Sequence, residues 1–246
     1  MKKVWIIVGT NSQLSFLRGK YYGLFFLGFG RATKLLYCSA FRGEHPNIIK
    51  CYGWFVFRRA QEGEPSCVGV SSLCFGLVFE RATSLDMQVI SNMVEVNAKV
   101  NLFVKWLRDI LKGLIYMHQH QHIHRDIKPG NIVNVNGTLK LIDFGYSNSL
   151  EHYTNTFAGS PGYAAPEVWV NAKSIYGQKA DVYSFGKTAL CLWNGVHSTN
   201  THFAPGLPDD IHKLLEDSIS EDVHSRPHLY QLLAKVDECC LLRELV

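Results

Sequence analysis

The sequence predicts an α+β fold, a strand-rich first third joined to a helix-rich remainder with a boundary near Arg81 to Leu85. Two patterns predict it. As far as Phe79, Ile, Val, Phe, Trp and Tyr gather in short runs separated by glycines, whereas from Asn101 onward apolar residues recur at helical spacing. At 246 residues the chain suits one large domain or two intimately packed lobes.

In chain order, the expected strands are Val4 to Val8, Tyr22 to Phe29, Ile48 to Phe57 and Leu73 to Phe79, with Arg58 to Ser66 as a polar hairpin loop. The first helix is read over Asn101 to His118, because Phe103, Trp106, Leu107, Ile110, Leu111, Leu114 and Met117 fall on the face of a well-buried helix. Ala180 to Trp193, Asp209 to Ser218 and Pro227 to Leu245 follow as helices, with Pro227 suited to the start of the last.

Composition narrows the function classes. Hydrophobic residues make up 47% and charged residues 19%, an ordinary globular balance without a disordered signature. The formal charge of +4 fits weak attraction to anionic ligands such as nucleotides, but no dense Lys/Arg run announces nucleic-acid binding. Seven cysteines are scattered without a CxxC pair, which reads as free thiols in a reducing, intracellular compartment, cytoplasmic or nuclear. Val4 to Val8 and Cys67 to Phe79 are too short to span a bilayer, and no clean cleavage site follows the first. Nothing in the sequence speaks to oligomeric state.

The chemistry-bearing residues lie just beyond the first long helix. His124-Arg125-Asp126-Ile127-Lys128-Pro129-Gly130-Asn131 is followed twelve residues after Asn131 by Asp143-Phe144-Gly145, and later by Ala165-Pro166-Glu167. HRDxKPxN, DFG and APE in this order and at this spacing resemble the eukaryotic protein kinase family of the serine/threonine type, over roughly Glu44 to Leu233.

The resemblance implies a bilobal protein kinase-like fold, with residues 1–82 forming a small β-rich N-lobe and hinge and residues 83–246 a larger α-helical C-lobe. It implies transfer of the ATP γ-phosphate to a Ser/Thr hydroxyl of a protein substrate. In such a reaction Asp126 is the base, Asn131 and Asp143 hold Mg²⁺, and Lys128 steadies the γ-phosphate. Hard oxygen ligands suit Mg²⁺, which keeps waters and borrows phosphate oxygens. Lys128, two residues after Asp126, goes with serine/threonine specificity. Phe79-Glu80-Arg81-Ala82 resembles the hinge that holds adenine through backbone groups, which assigns nucleotide binding to Glu80 and Ala82 beside Lys128, Asn131 and Asp143. Ser160 stands where the family has a Thr contacting the catalytic loop.

Further positions follow from the same likeness. Asp181 resembles the buried helix aspartate that bonds the catalytic-loop backbone, and Arg226 the arginine that pairs with Glu167. Thr156 stands where an activating phosphate would pair with Arg125, and an ordinary solvated loop threonine fits as well. The alternating His118, His120, His122 and His124 invite a metal reading. The family reading instead ends the helix at His118, buries His124 and leaves His120 and His122 on a solvated turn.

The N-terminal segment departs from the pattern. Leu27 to Thr33 looks like a glycine loop, yet only fourteen residues separate Gly30 from Glu44. With Lys20 as the strand lysine, Leu36 falls where the partner glutamate belongs. A third register gives Tyr22 to Phe29 no lysine at all. A reduced lobe with a short helix from Arg31 to Phe41, and with Gly9 and Thr10 as a vestigial loop, leaves Lys20, Arg31 and Lys34 as candidate phosphate-anchoring cations. Only fifty-nine residues separate Glu167 from Arg226, and compaction at both ends resembles kinases of viral or otherwise reduced genomes. The missing Lys–Glu pair motivates a second functional reading, a kinase mimic acting by protein binding.

Overall fold

The computed structural model describes residues 4–9, 45–58, 73–149, 159–170, 177–196 and 202–244. The expected strand Tyr22 to Phe29, the helix Arg31 to Phe41, the loop beyond Arg58, Lys20, Arg31, Lys34 and Thr156 lie outside the described residues. Two compact units emerge, residues 1–44 with 49–82 and residues 45–48 with 83–246.

The first unit holds an antiparallel sheet of β1 (Val4–Gly9), β2 (Cys51–Arg58) and β3 (Leu73–Glu80), in the order β1-β3-β2. Gly9 pairs with Phe75 as the last residue of β1, so it belongs to a strand and not to a vestigial loop. β2 begins at Cys51, three residues after the expected Ile48, with a bulge between Cys51 and Gly53. Ile48 itself belongs to the second unit, where it makes a parallel bridge to Leu141.

The second unit is built on α2 (Val96–Gln119), which follows β4 (Thr83–Ser84) and the short α1 (Gln88–Ser91). Val100, Phe103, Leu107, Leu111 and Leu114 are buried along it. The helix begins five residues before the expected Asn101. Glu95 caps it, its carboxylate accepting from the N–H groups of Asn97 (2.9 Å) and Ala98. The first turn carries the exposed Val96 and follows the exposed Val94, so apolar periodicity is silent there.

After β5 (His122–Ile123) a 3₁₀ turn, Pro129–Asn131, leads into the hairpin of β6 (Ile132–Val135) and β7 (Thr138–Leu141). Its turn is Asn136-Gly137, both at positive φ (52° and 86°), the geometry that Asn-Gly favours. A second 3₁₀ turn, Phe144–Tyr146, precedes β8 (Asn148–Ser149), which pairs with β5.

The remaining helices are α3 (Pro166–Val170), α4 (Gln178–Asn194), α5 (Asp209–Ser218) and α6 (Leu229–Glu244). Pro227 lies two residues before α6, outside the helix. There the carbonyl of His228 accepts from Gln231 and Leu232. Among the described residues no helix is long and apolar enough to cross a membrane.

One close approach orders the centre of this unit. Gly113 of α2 lies so near the 45–48 segment that a Cβ there would sit 2.8 Å from the Asn47 carbonyl oxygen and 3.0 Å from Leu141 Cδ1. Asn47 then ties in β7. Its side-chain amide donates to Leu139 O (3.0 Å), and its carbonyl accepts from Leu141 N (2.9 Å). The hairpin that joins Asn131 to Asp143 is thereby pinned to α2, the longest helix among the described residues.

Candidate active site

α4 supports the loop from His124 to Asn131. Asp181 and Thr188, two turns apart on that helix, both reach it. The buried Asp181 carboxylate accepts the backbone N–H groups of His124 and Arg125, each at 2.8 Å, and His118 Nε2 lies 2.8 Å from its Oδ2. Thr188 Oγ1 shares its one hydroxyl proton between Ser184 O (2.7 Å) and, at longer range, Ile127 O of the loop (3.3 Å). Burial alone would raise the Asp181 carboxyl, but the hydrogen bond and charge of His118, with the backbone N–H of His124, outweigh it and hold the pKa below its ordinary value.

The loop is bent to present Asp126. Arg125 takes φ +70°, a left-handed conformation that an unconstrained arginine avoids, and the Asp181 bonds hold it there. His124 is wholly buried. Its Nδ1 accepts from Asp126 N (3.3 Å), and its Nε2 lies 3.1 Å from the Ile142 carbonyl, which calls for the proton on Nε2.

Asp126 is 2% exposed, and both carboxylate oxygens are engaged. Oδ1 accepts from Ser160 Oγ at 2.7 Å. Oδ2 accepts from Lys128 Nζ at 2.9 Å and from Asn131 Nδ2 at 2.8 Å. Asn131 Nδ2 also donates to the Asp126 carbonyl, and Lys128 Nζ to Ser160 Oγ at 2.5 Å. A buried carboxylate needs such company, because isolated it would be driven to take up a proton.

Asp143 takes φ +59° and accepts from Gly145 N through Oδ1 (3.3 Å). Next to it, Ile142 N donates to Asn131 O (3.0 Å), so this bond holds the segments bearing Asn131 and Asp143 side by side. With Asn131 Nδ2 committed to Asp126, its Oδ1 makes no hydrogen bond among the described residues, and neither does Asp143 Oδ2. One neutral and one anionic hard oxygen form a donor set that fits a divalent cation sharing its shell with phosphate and water.

Asp126, Lys128 and Asn131 thus share one loop, and Asp143 joins them from the far end of the hairpin that follows it. Glu80 and Ala82 belong to the first unit. There Glu80 N donates to Lys50 O (2.9 Å) while Glu80 Oε1 accepts from Lys50 N (2.8 Å), and Phe79 is buried. Ala82 is half-buried just after β3.

The four histidines divide into separate tasks. His118 pairs with Asp181, His124 packs on Phe144 with ring centroids 5.5 Å apart, and the exposed His120 packs on Tyr116 at 4.3 Å. His122 is a half-buried residue of β5 paired with Ser149, not part of a solvated turn, because a short strand forms where a bare connection was expected. Arg226 binds Glu167, at 2.7 and 2.8 Å.

Sequence reasoning missed three supporting residues: His118 as the partner of Asp181, Thr188, and Asn47. Each acts through a contact far away in the chain, which no local pattern encodes. It also missed the β6–β7 hairpin, although Asn136-Gly137 between alternating residues is a strong local signal.

Comparison with known proteins bears on the same residues. A family model described as "Protein kinase domain" matches residues 35–236. The chain is similar to the dual specificity protein kinase zak2 of Dictyostelium discoideum, 32% identical over 162 residues, which are 60% of this chain and 25% of that protein. It is 47% identical over 100 residues to the serine/threonine-protein kinase dst1 of the same organism, covering 39% of this chain and 13% of that protein. With the mitogen-activated protein kinase kinase kinase 1a of Physcomitrium patens it shares 35% identity over 166 residues, 58% of this chain and 22% of that protein. The chain spans a quarter or less of the length of these relatives.

Proposed function

Because the chain belongs to the protein kinase domain family, we propose that it transfers the γ-phosphate of ATP to serine or threonine hydroxyls of a protein substrate. The observation that carries this reading is the Asp126 carboxylate, buried and already accepting a hydroxyl hydrogen bond at 2.7 Å, with Lys128 at 2.9 Å on its other oxygen. That distance is within the reach a general base needs.

In this reading Asp126 orients the acceptor hydroxyl and takes its proton. Lys128 offsets the developing charge on the phosphoryl group, and Asn131 fixes the rotamer of Asp126 through Nδ2. Asn131 Oδ1 and Asp143 would hold Mg²⁺, which when bound neutralises phosphate charge. By resemblance, the backbone of Glu80 and Ala82 holds the adenine. Lys128 also favours a serine or threonine acceptor, as does the similarity to dst1 and to a further relative, the serine/threonine-protein kinase fray2 of Dictyostelium discoideum.

The test is incorporation of γ-phosphate into a generic basic protein with Mg²⁺·ATP. Asp126→Asn should lower the rate by about 10²–10⁴. A variant that keeps its rate would remove Asp126 as the base.

A further inference from the structure

A cavity opens in the second unit where the last turn of α2 meets the first turns of α4 and α6. Part of its lining is apolar, from the buried side chains of Ile115, Val182 and Leu229. The polar part carries Lys179, His118 and His228, and Gln119 Nε2 closes one side by donating to the Tyr230 hydroxyl at 2.8 Å. No carboxylate lines it. Its volume, about 110 Å³, limits an occupant to a small molecule.

Lys179 sets the charge of that occupant. The residue is half-buried beside Arg226, and its ammonium donates to a neutral group, the Arg226 carbonyl. Arg226 has Glu167 as its counter-ion, but Lys179 has no carboxylate partner among the described residues. Burial and the Arg226 charge hold the Lys179 pKa below its ordinary value. Two neighbouring cations with one carboxylate between them leave a positive charge unmet, and an anion in the cavity meets it. The first turn of α4 adds to the same field. Gly177 caps that helix without a side chain, so no side-chain oxygen takes up the first N–H groups, and both Gln178 and Lys179 line the cavity.

We infer that this cavity is a binding site for a small organic carboxylate, with its anionic end on Lys179 and its apolar end against Ile115, Val182 and Leu229. A bare inorganic anion would leave the apolar lining uncovered. A neutral molecule would leave Lys179 unmet. The occupant lies against His118, whose Nε2 is 2.8 Å from Asp181 Oδ2. It therefore sits one side chain away from the carboxylate that holds the N–H groups of His124 and Arg125.

The experiment titrates the purified chain with sodium butyrate at constant pH, with ionic strength held level by sodium chloride, and follows the histidine imidazole resonances by NMR. The expected result is that His118 and His228 shift along one saturating curve, while His212 on α5, outside the cavity, stays in place. Butyramide, similar in shape but uncharged, should leave both unmoved. Lys179→Met keeps an unbranched stem without the charge and should weaken butyrate by about tenfold or more, whereas Lys179→Arg should retain it. Shifts that do not saturate, or equal shifts with butyramide, overturn the carboxylate site. Unchanged saturation in Lys179→Met overturns Lys179 as its anchor. The titration of the unaltered chain decides the first point even where a variant fails to fold. Binding here is independent of phosphate transfer, so none of these results bears on the kinase reading.

Discussion

Arg226 holds Glu167 with two parallel hydrogen bonds, Nη1 to Oε1 at 2.7 Å and Nη2 to Oε2 at 2.8 Å, across fifty-nine residues of chain. The guanidinium is fully buried and spends its other donors on carbonyls, Nε on Ser220 O (2.8 Å) and Nη1 on Lys179 O (3.1 Å). It also lies over the Tyr183 ring, 4.9 Å from the centroid. Arg226→Ala would strand the Glu167 carboxylate and two or more carbonyls at once. The expected loss is about 3–5 kcal/mol, read from urea denaturation. A loss below about 1 kcal/mol would mean that solvent reaches Glu167 and replaces the arginine.

Gly113→Ala sets two effects against each other. Alanine gains about 1 kcal/mol in helix propensity, while its Cβ would meet the Asn47 carbonyl oxygen at 2.8 Å. That oxygen is tied to Leu141 N and cannot retreat cheaply. Overpacking of this kind costs about 1–3 kcal/mol, so the net expectation is a destabilisation of up to about 2 kcal/mol, visible as a lower thermal midpoint. A stabilised variant would show that the 45–48 segment yields.

Asp181 predicts how stability depends on pH. Its folded-state pKa lies below the ordinary value, so its contribution is present above the ordinary carboxylate range and is lost as pH falls through the folded pKa. Asp181→Asn leaves one acceptor oxygen where the two backbone N–H groups and His118 had two. It should cost about 1–3 kcal/mol at neutral pH and flatten the acid limb of the stability curve. An acid limb unchanged in the variant would assign the pH dependence to other carboxylates.

Asn131→Ala removes the tether on Asp126 and one of the two oxygens proposed for the cation. The Mg²⁺ concentration for half-maximal phosphate transfer should rise by more than about tenfold, with chelation abolishing transfer in both proteins. An unchanged Mg²⁺ requirement with a lower rate would leave Asn131 the positioning role alone.

Much of the site was legible in the sequence because its residues are close in the chain. Asp126, Lys128 and Asn131 share one loop, and Asp143 follows after a hairpin, so motif spacing implies a shared location. Asp209 to Ser218 shows why some helix bounds were legible too. Pro208 stands before the first turn and Asp209 and Asp210 open it, and the observed helix has the expected limits.

What only the tertiary structure decided is how that loop is held. Asp181 stands fifty-six residues from Arg125, and His118 sixty-three from Asp181. Their bonds fix an arginine at positive φ, a state that local preference alone would not keep. The same holds for Ser160, thirty-four residues from Asp126. Short-range pattern specifies which residues can do chemistry, because side-chain type and spacing are local properties. The aim of those side chains is set by buried hydrogen bonds between distant segments, which form only once the helices are packed and water is gone.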